Sequence, residues 1–524
     1  MTQVSRMSSN KNKTSIQIFG KATGMVFMLI ISITMMIAGI VALSEGTGRF
    51  TIPFTSNNAT QQMKNHVETI RDNPNLENME PFGLELWGLS KLSEASRFSD
   101  SRLMEHSVYY TEMSKYNQIL MLIHILLGSF CMLLGSLQFW PSFRKKYMKA
   151  HRIIGGIYLV TVPISVITSL LYLANTAPHH IYDHLVAWIA LWVFGVLSLI
   201  SIVMAVFALK KKRIFEHQAW MAASFACLMV APMLRWDWAL LAAIFPNIDQ
   251  ETLNLVTVGI MLPETIFIVY GLILINRQYQ RPMKQRKPHE FAESSFKIFQ
   301  RLVPSLYVLA TLAIAANIYY FLLNDGLASL SYADKLLPKM LIQREYTILN
   351  SSSILTTLFV MCSGAALLLS IYIFNILLKT ANTNDLSAKN IVLSITLSIL
   401  ALSTGAISIY FGWNIGLETH NLIFSGGTMY SVYGALIFVF GLAFLTASLL
   451  KNLAFMKETL VFLLSLLPFS ALFLLTLYVL SFLPIPIDYI AAGQGFVIPV
   501  GFSTALLFLA FAYVIFGQAT REHN

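Results

Sequence analysis

Apolar residues gather along this chain in long runs separated by short polar segments. Twelve runs lie near 21–43, 118–140, 152–174, 184–208, 218–244, 254–275, 302–323, 353–379, 389–411, 430–450, 457–480 and 495–518. A helix crossing a bilayer needs about 20 consecutive, mostly apolar residues. The pattern therefore predicts an all-α polytopic membrane protein with about 12 transmembrane helices. The polar stretch 276–301, with Pro282 and Pro288, divides them into two six-helix halves. The expected organisation is a cytoplasmic tail over 1–20, a first membrane domain over 21–275, a cytoplasmic linker over 276–301, a second membrane domain over 302–518 and a tail over 519–524. Helices 2–5 of the first half are expected to form a four-helix bundle. The extracytoplasmic insert 44–117 carries mixed charges and aromatics such as Trp87, Tyr109 and Tyr110, enough for short amphipathic helices.

Composition agrees with this pattern. The 524 residues are 56% hydrophobic and only 12% charged, against about 25% charged in soluble domains. The net charge of +10 is placed by rule. Arg144, Lys145, Lys146 and Lys149 fill one connection, and Lys210, Lys211, Lys212 and Arg213 fill another. Arg277, Arg281, Lys284, Arg286, Lys287, Lys297 and Arg301 fill a third. The loops 175–183, 245–253, 414–429 and 481–494 contain no Lys or Arg. This alternation is the positive-inside signal and puts both termini in the cytoplasm. The basic charge is thus orientation signal, with anionic lipid head groups as its expected partner and no nucleic acid. Cys131, Cys227 and Cys362 all fall in apolar runs, so neither a disulfide framework nor a paired-cysteine metal site is implied.

Ionisable residues inside a bilayer are costly and functional by default, and here they concentrate in the first half. Helices 2–6 hold His124, Arg235, Asp237 and Glu264, with His151, His184 and His217 at helix ends. Given the predicted orientation, His124 lies about two turns below the outer end of helix 2, and His184 opens helix 4 on the outer side. His151 and His217 open helices 3 and 5 on the inner side. Two such pairs on alternate helices suit two haems b, ligated by His124 with His184 and by His151 with His217. Bis-imidazole ligation favours electron transfer over oxygen chemistry. Gly128, Cys131 and Gly135 share a face with His124, Gly155 with His151, and Gly195 with His184. Small residues there leave room for a flat macrocycle, or equally let two helices pack closely. The plain alternative is that His151 and His217 are interface residues near lipid phosphate. His179 and His180 compete with His184 for any outer role.

Arg235 is expected in the outer third of the bilayer, about 27 Å from the inner end of its helix at 1.5 Å per residue. Glu264, after Pro263 in helix 6, is expected about 15 Å below the outer end. Either Arg235 clamps an anion such as a haem propionate, with Glu264 as counter-charge or proton carrier, or the two form a buried structural pair. Arg152 is the corresponding propionate partner at the inner end. Arg235 and Asp237 are two residues apart and point to different faces.

The pattern of His124 with Gly128, then LQFWPSFRKKYMKAHRIIGGIYLV, then EHQAWMAASFACLMVAPMLRW and the Pro-Glu of helix 6 resembles the uncharacterised membrane-protein family catalogued as domain of unknown function 2306. The residues carrying the resemblance are His124, Gln138, Phe139, Arg144, His151, Arg152, Tyr158, His217, Trp220, Met221, Arg235 and Glu264, within about 21–275. The resemblance implies a bacterial inner-membrane protein and names no reaction. The histidine layout is also similar to that of cytochrome b561-type proteins, which carry electrons between two haems b; no motif is shared with them.

Two functions follow as expectations. One is a haem-b transmembrane electron carrier with a redox partner, in which Arg152 and Arg235 neutralise propionates. The other is a secondary transporter or lipid-handling permease with a site around His124, Arg235 and Glu264. An enzyme at the outer face is a weaker third, since no nucleophile–base pairing is visible.

Overall fold

The computed structural model describes residues 2–50, 52–54, 58–72, 108–181, 184–244, 250–279, 290–337, 339–380, 386–415, 426–485, 507, 510–511 and 513–515. Among them there is helix and no strand. Ten helical segments of the described residues are long and apolar enough to cross a membrane, and the chain is a multi-pass membrane protein. Of the expected runs, 254–275 falls on a helix whose shorter apolar portion is Pro263–Asn276. The run 495–518 lies almost wholly outside the described residues, as do most of the insert between 73 and 107 and the last tail.

The chain divides into two compact units. The first comprises Met1–His184, Trp188–Ile244 and Thr265–Lys284, and the second Leu185–Ala187, Phe245–Glu264 and Gln285–Asn524.

The first unit begins with α1 (Thr2–Gly48), which runs through the expected tail; its candidate span starts at Ala22. After α2 (Asn58–Asp72) come α3 (Lys115–Phe139), the short α4 (Pro141–Lys146) and α5 (Met148–Ala174). Then follow α6 (His184–Lys210), α7 (Ile214–Ile244) and, from Thr265 on, α8 (Gln250–Tyr279), whose earlier part belongs to the second unit. Small residues set the spacing. A Cβ on Gly39 of α1 would lie 2.7 Å from Leu133 of α3, and one on Gly135 of α3 would lie 2.8 Å from Phe225 of α7. Trp140 donates its indole N–H to Ser32 Oγ at 2.8 Å, tying the end of α3 to α1. Tyr158, buried on α5, lies 3.4 Å from Ser224 Oγ of α7, which in turn lies 3.4 Å from Ser198 Oγ of α6. Outward faces are apolar: Ile30 and Ile40 of α1 and Ile153 and Val160 of α5 are all more than half exposed. That is the surface a helix shows to lipid once its backbone is internally satisfied.

The second unit carries α9 (Glu290–Ile318), a π-turn over Tyr319–Leu323, α10 (Lys339–Ser351), α11 (Ser353–Lys379), α12 (Ala388–Ile415), α13 (Gly426–Leu449), α14 (Leu453–Leu466) and α15 (Phe469–Leu480). The expected run 457–480 is divided at Leu467 and Pro468 into α14 and α15, because proline cannot supply the backbone donor that would continue the helix. Helices α12 and α13 approach backbone to backbone. A Cβ on Gly405 would lie 2.7 Å from Gly434 O, and one on Gly434 would lie 2.8 Å from Gly405 O. Ser408 Oγ donates to Tyr430 O at 2.8 Å across the same seam. Small residues with a hydroxyl between them are how helices associate without water to drive them.

One carboxylate organises the interior of this unit. Glu345, on α10, is 2% exposed. Its Oε2 accepts from Tyr320 OH at 2.6 Å and from Leu327 N–H at 3.0 Å, and its Oε1 accepts from Tyr430 OH at 2.9 Å. Gly326, at φ +59°, is part of the turn that aims Leu327 N–H; a Cβ there would lie 3.1 Å from Glu345 Oε2. Tyr430 sits in an aromatic cluster with Phe411 and Phe469. Burial holds the Glu345 carboxyl above the ordinary glutamate range, against the pull of its three donors.

Replacing Gly405 with Val drives a side chain into the α13 backbone and is expected to destabilise the detergent-solubilised protein by about 1–3 kcal/mol or more, read as a lower Tm. Glu345→Ala leaves two phenol hydroxyls and a backbone N–H without an acceptor, each costing about 1–3 kcal/mol when buried, and should lower Tm further. An acid whose folded pKa is raised contributes its stability in full below its unfolded pKa and loses it as pH rises through the folded one. Across that interval the stability of the unmodified protein should fall relative to Glu345→Gln, measured as Tm against pH.

Candidate functional site

The first unit holds the helices that carry the four histidines: His124 on α3, His151 on α5, His184 at the start of α6 and His217 on α7. His124 is clasped to α5. Its Nδ1 lies 2.9 Å from Ser165 O and 3.2 Å from Ser165 Oγ, and that hydroxyl donates back to His124 O at 3.0 Å. A carbonyl oxygen only accepts, so Nδ1 carries the proton and Nε2 the lone pair. His217 is fixed the same way: its Nδ1 lies 2.9 Å from Ala205 O of α6. The two rings share one tautomer and one kind of anchor, a backbone carbonyl on the neighbouring helix.

His151 differs. Its Nδ1 is buried with no hydrogen-bond partner among the described residues. It lies within electrostatic reach of Arg144, His217 and Arg152, so His151 and His217 are brought together. Arg152 itself is exposed. At the other end, the His184 side chain, and with it the expected His124–His184 pair, lies outside the described residues. His180 there stacks on Tyr109, with ring centroids 3.9 Å apart.

Arg235 turns back onto its own helix. Its Nη1 donates to Ala231 O at 2.9 Å, and its guanidinium carbon lies 5.6 Å from the Trp238 ring centroid, a cation–π distance. Asp237, two residues on, is 6% exposed. Arg235 lies in the first unit and Glu264 in the second.

The histidines fit a haem in one respect. Metal-ligating histidines almost always donate the second ring N–H to a carbonyl, carboxylate or water, which fixes the ring and leaves the other nitrogen to the metal. His124 and His217 are so arranged. Among the described residues no group of three or more His, Cys, Asp or Glu could hold a metal ion; bis-histidine ligation asks for two. The glycine faces are used for packing. A Cβ on Gly195 would lie 2.7 Å from Leu170, one on Gly128 3.6 Å from Ser165 Oγ, and the Gly135 space is filled by Phe225. Gly155 faces Gln138, whose Oε1 would lie 3.3 Å from its Cβ, and only Gly156 opens onto empty space among these.

The structure adds residues whose part in the site the sequence pattern did not reveal. Arg144, on α4, donates Nη2–H to Asn276 Oδ1 of α8 at 2.6 Å. It has no carboxylate partner among the described residues. Burial alone lowers its guanidinium to about 10, so it stays charged at neutral pH. Asn276 and Gln138 are buried, at 4% and 6% exposure, and their amide nitrogens have no acceptor among the described residues. Arg144 and Gln138 stand in the segment that carries the family resemblance, but only as pattern. Asn276 ends an apolar run in the manner of any helix-end asparagine, and Ser165 is one of several hydroxyls on α5.

No curated protein and no solved structure matches the chain. Residues 121–271 match the family model described as predicted membrane protein (DUF2306), so all four histidines, with Arg144, Arg152, Arg235 and Glu264, lie inside the matched segment.

Proposed function

We propose that the first unit is a haem-b transmembrane electron carrier of the bacterial inner membrane, with both termini cytoplasmic and a redox partner to serve. The single observation that carries the reading is the shared anchoring of His124 and His217, each with Nδ1 held at 2.9 Å by a carbonyl of the adjacent helix. Neither ring needs that restraint if it only packs against lipid. Holding Nδ1–H on a carbonyl keeps the ring from rotating and makes Nε2 more basic. His151 is the partner of His217 in this reading, and His184 the partner of His124. Arg152 and Arg235 supply positive charge near the two ends. When bound, the haem supplies a one-electron couple whose potential the axial histidines set.

The test is the colour of the full-length protein, made in haem-replete cells and purified in mild detergent. A Soret band, with sharp α and β bands on reduction, is expected. His124→Ala and His217→Ala should each lower the haem per polypeptide, and Lys379→Ala, on α11, should not. A colourless preparation would falsify the reading and leave the permease alternative to be tested by transport.

A further inference from the structure

The end of the first unit where α3 turns into α5 collects hydrogen-bond donors and lacks acceptors. Arg144 presents a guanidinium with five N–H donors, of which one recorded bond reaches a neutral oxygen, Asn276 Oδ1 at 2.6 Å. The amide nitrogens of Asn276 and Gln138, both more than nine-tenths buried, have no acceptor among the described residues. The Nδ1 of His151 is buried without a hydrogen-bond partner among them. These groups belong together. Arg144 bonds Asn276 directly, and His151 feels the Arg144 charge. Gln138 lies against Gly155, one helical turn from His151 on the same face of α5.

A half-buried charge without a counter-charge is costly, and each buried donor without an acceptor adds to that cost. The Arg144 and amide N–H groups share one need, an acceptor. A group with several acceptor oxygens and a negative charge satisfies all of them at once, and an arginine fork matches such a group in two places. Lys145 and Lys146 beside it are exposed and do not share this burial, so the site is distinct from the solvated basic loop.

We propose that Arg144, Asn276, Gln138 and His151 form an oxyanion-binding site for a phosphate group. The phosphate belongs to a lipid head group or to a free phosphate entering from the interface. The site does not rest on the haem reading, since its donors remain unpaired whether or not the histidines bind iron.

The test uses the full-length protein, delipidated in detergent. Its thermal midpoint and binding isotherm are followed against dioleoyl phosphatidylglycerol, dioleoylglycerol as the phosphate-free counterpart, and inorganic phosphate. Phosphatidylglycerol should bind and raise Tm, and dioleoylglycerol should not. Binding of inorganic phosphate as well assigns a free oxyanion site; binding of the lipid alone assigns a head-group site. Arg144→Gln should weaken binding by about tenfold or more, the worth of a charge-assisted hydrogen bond, and Asn276→Leu should weaken it too, whereas Lys145→Gln should leave it unchanged. If Arg144→Gln does not fold, Arg144→Lys keeps the charge but loses the fork and should still bind several-fold more weakly. Equal binding by the Arg144 and Lys145 variants, or no preference for phosphatidylglycerol over dioleoylglycerol with no response to phosphate, overturns the proposal.

Discussion

A polar group taken out of water must find its partner inside the protein, because lipid offers none. That constraint decides what each polar residue of this chain is. Around Glu345, in the second unit, it is met. Glu345 accepts from two tyrosine hydroxyls and a backbone N–H, and Arg344 beside it donates to Ile415 O at 2.8 Å. In the first unit it is met by His124 and His217 through backbone carbonyls, and left unmet around Arg144. A closed network reads as structure, and a set of unanswered donors reads as a place for something else.

The two units therefore differ in kind. Around Glu345 the hydrogen bonds, the π-turn at Tyr319–Leu323 and the aromatic cluster of Phe359, Phe411 and Phe469 make a rigid interior. Helices α12 and α13 add a seam in which glycine lets backbones touch. The first unit spends its small residues similarly, since Gly39, Gly135 and Gly195 admit Leu133, Phe225 and Leu170. Its titratable side chains, however, stand at helix ends and along one bundle of contacts, and that is where chemistry or binding can be housed.

Much of this was legible in the sequence. Run length told of the helices, and the position of each histidine in its run placed it on the right helix. Which partner each would meet was not legible. Ser165 and Ala205 become anchors through helix rotation, which spacing alone does not fix. The glycines were open to two readings, and close packing is the one the neighbouring side chains adopt. Arg144 counted as one more positive charge in a basic loop, because charge counting cannot tell a half-buried guanidinium from the exposed Lys145 and Lys146. Glu345 escaped notice for a related reason. It lies between apolar runs, where a carboxylate is expected to be solvated, and only the fold of the connecting segments buries it.

The haem proposal has helix-anchored histidines hold iron through their free ring nitrogens. Low-temperature electron paramagnetic resonance of the oxidised, purified protein tests it most directly. A low-spin ferric signal of the kind given by two axial imidazoles is expected, and His217→Ala should remove, or convert to high spin, the share owed to the His151–His217 haem while leaving the other. A high-spin signal indifferent to His124 and His217, or no ferric haem signal at all, would contradict it.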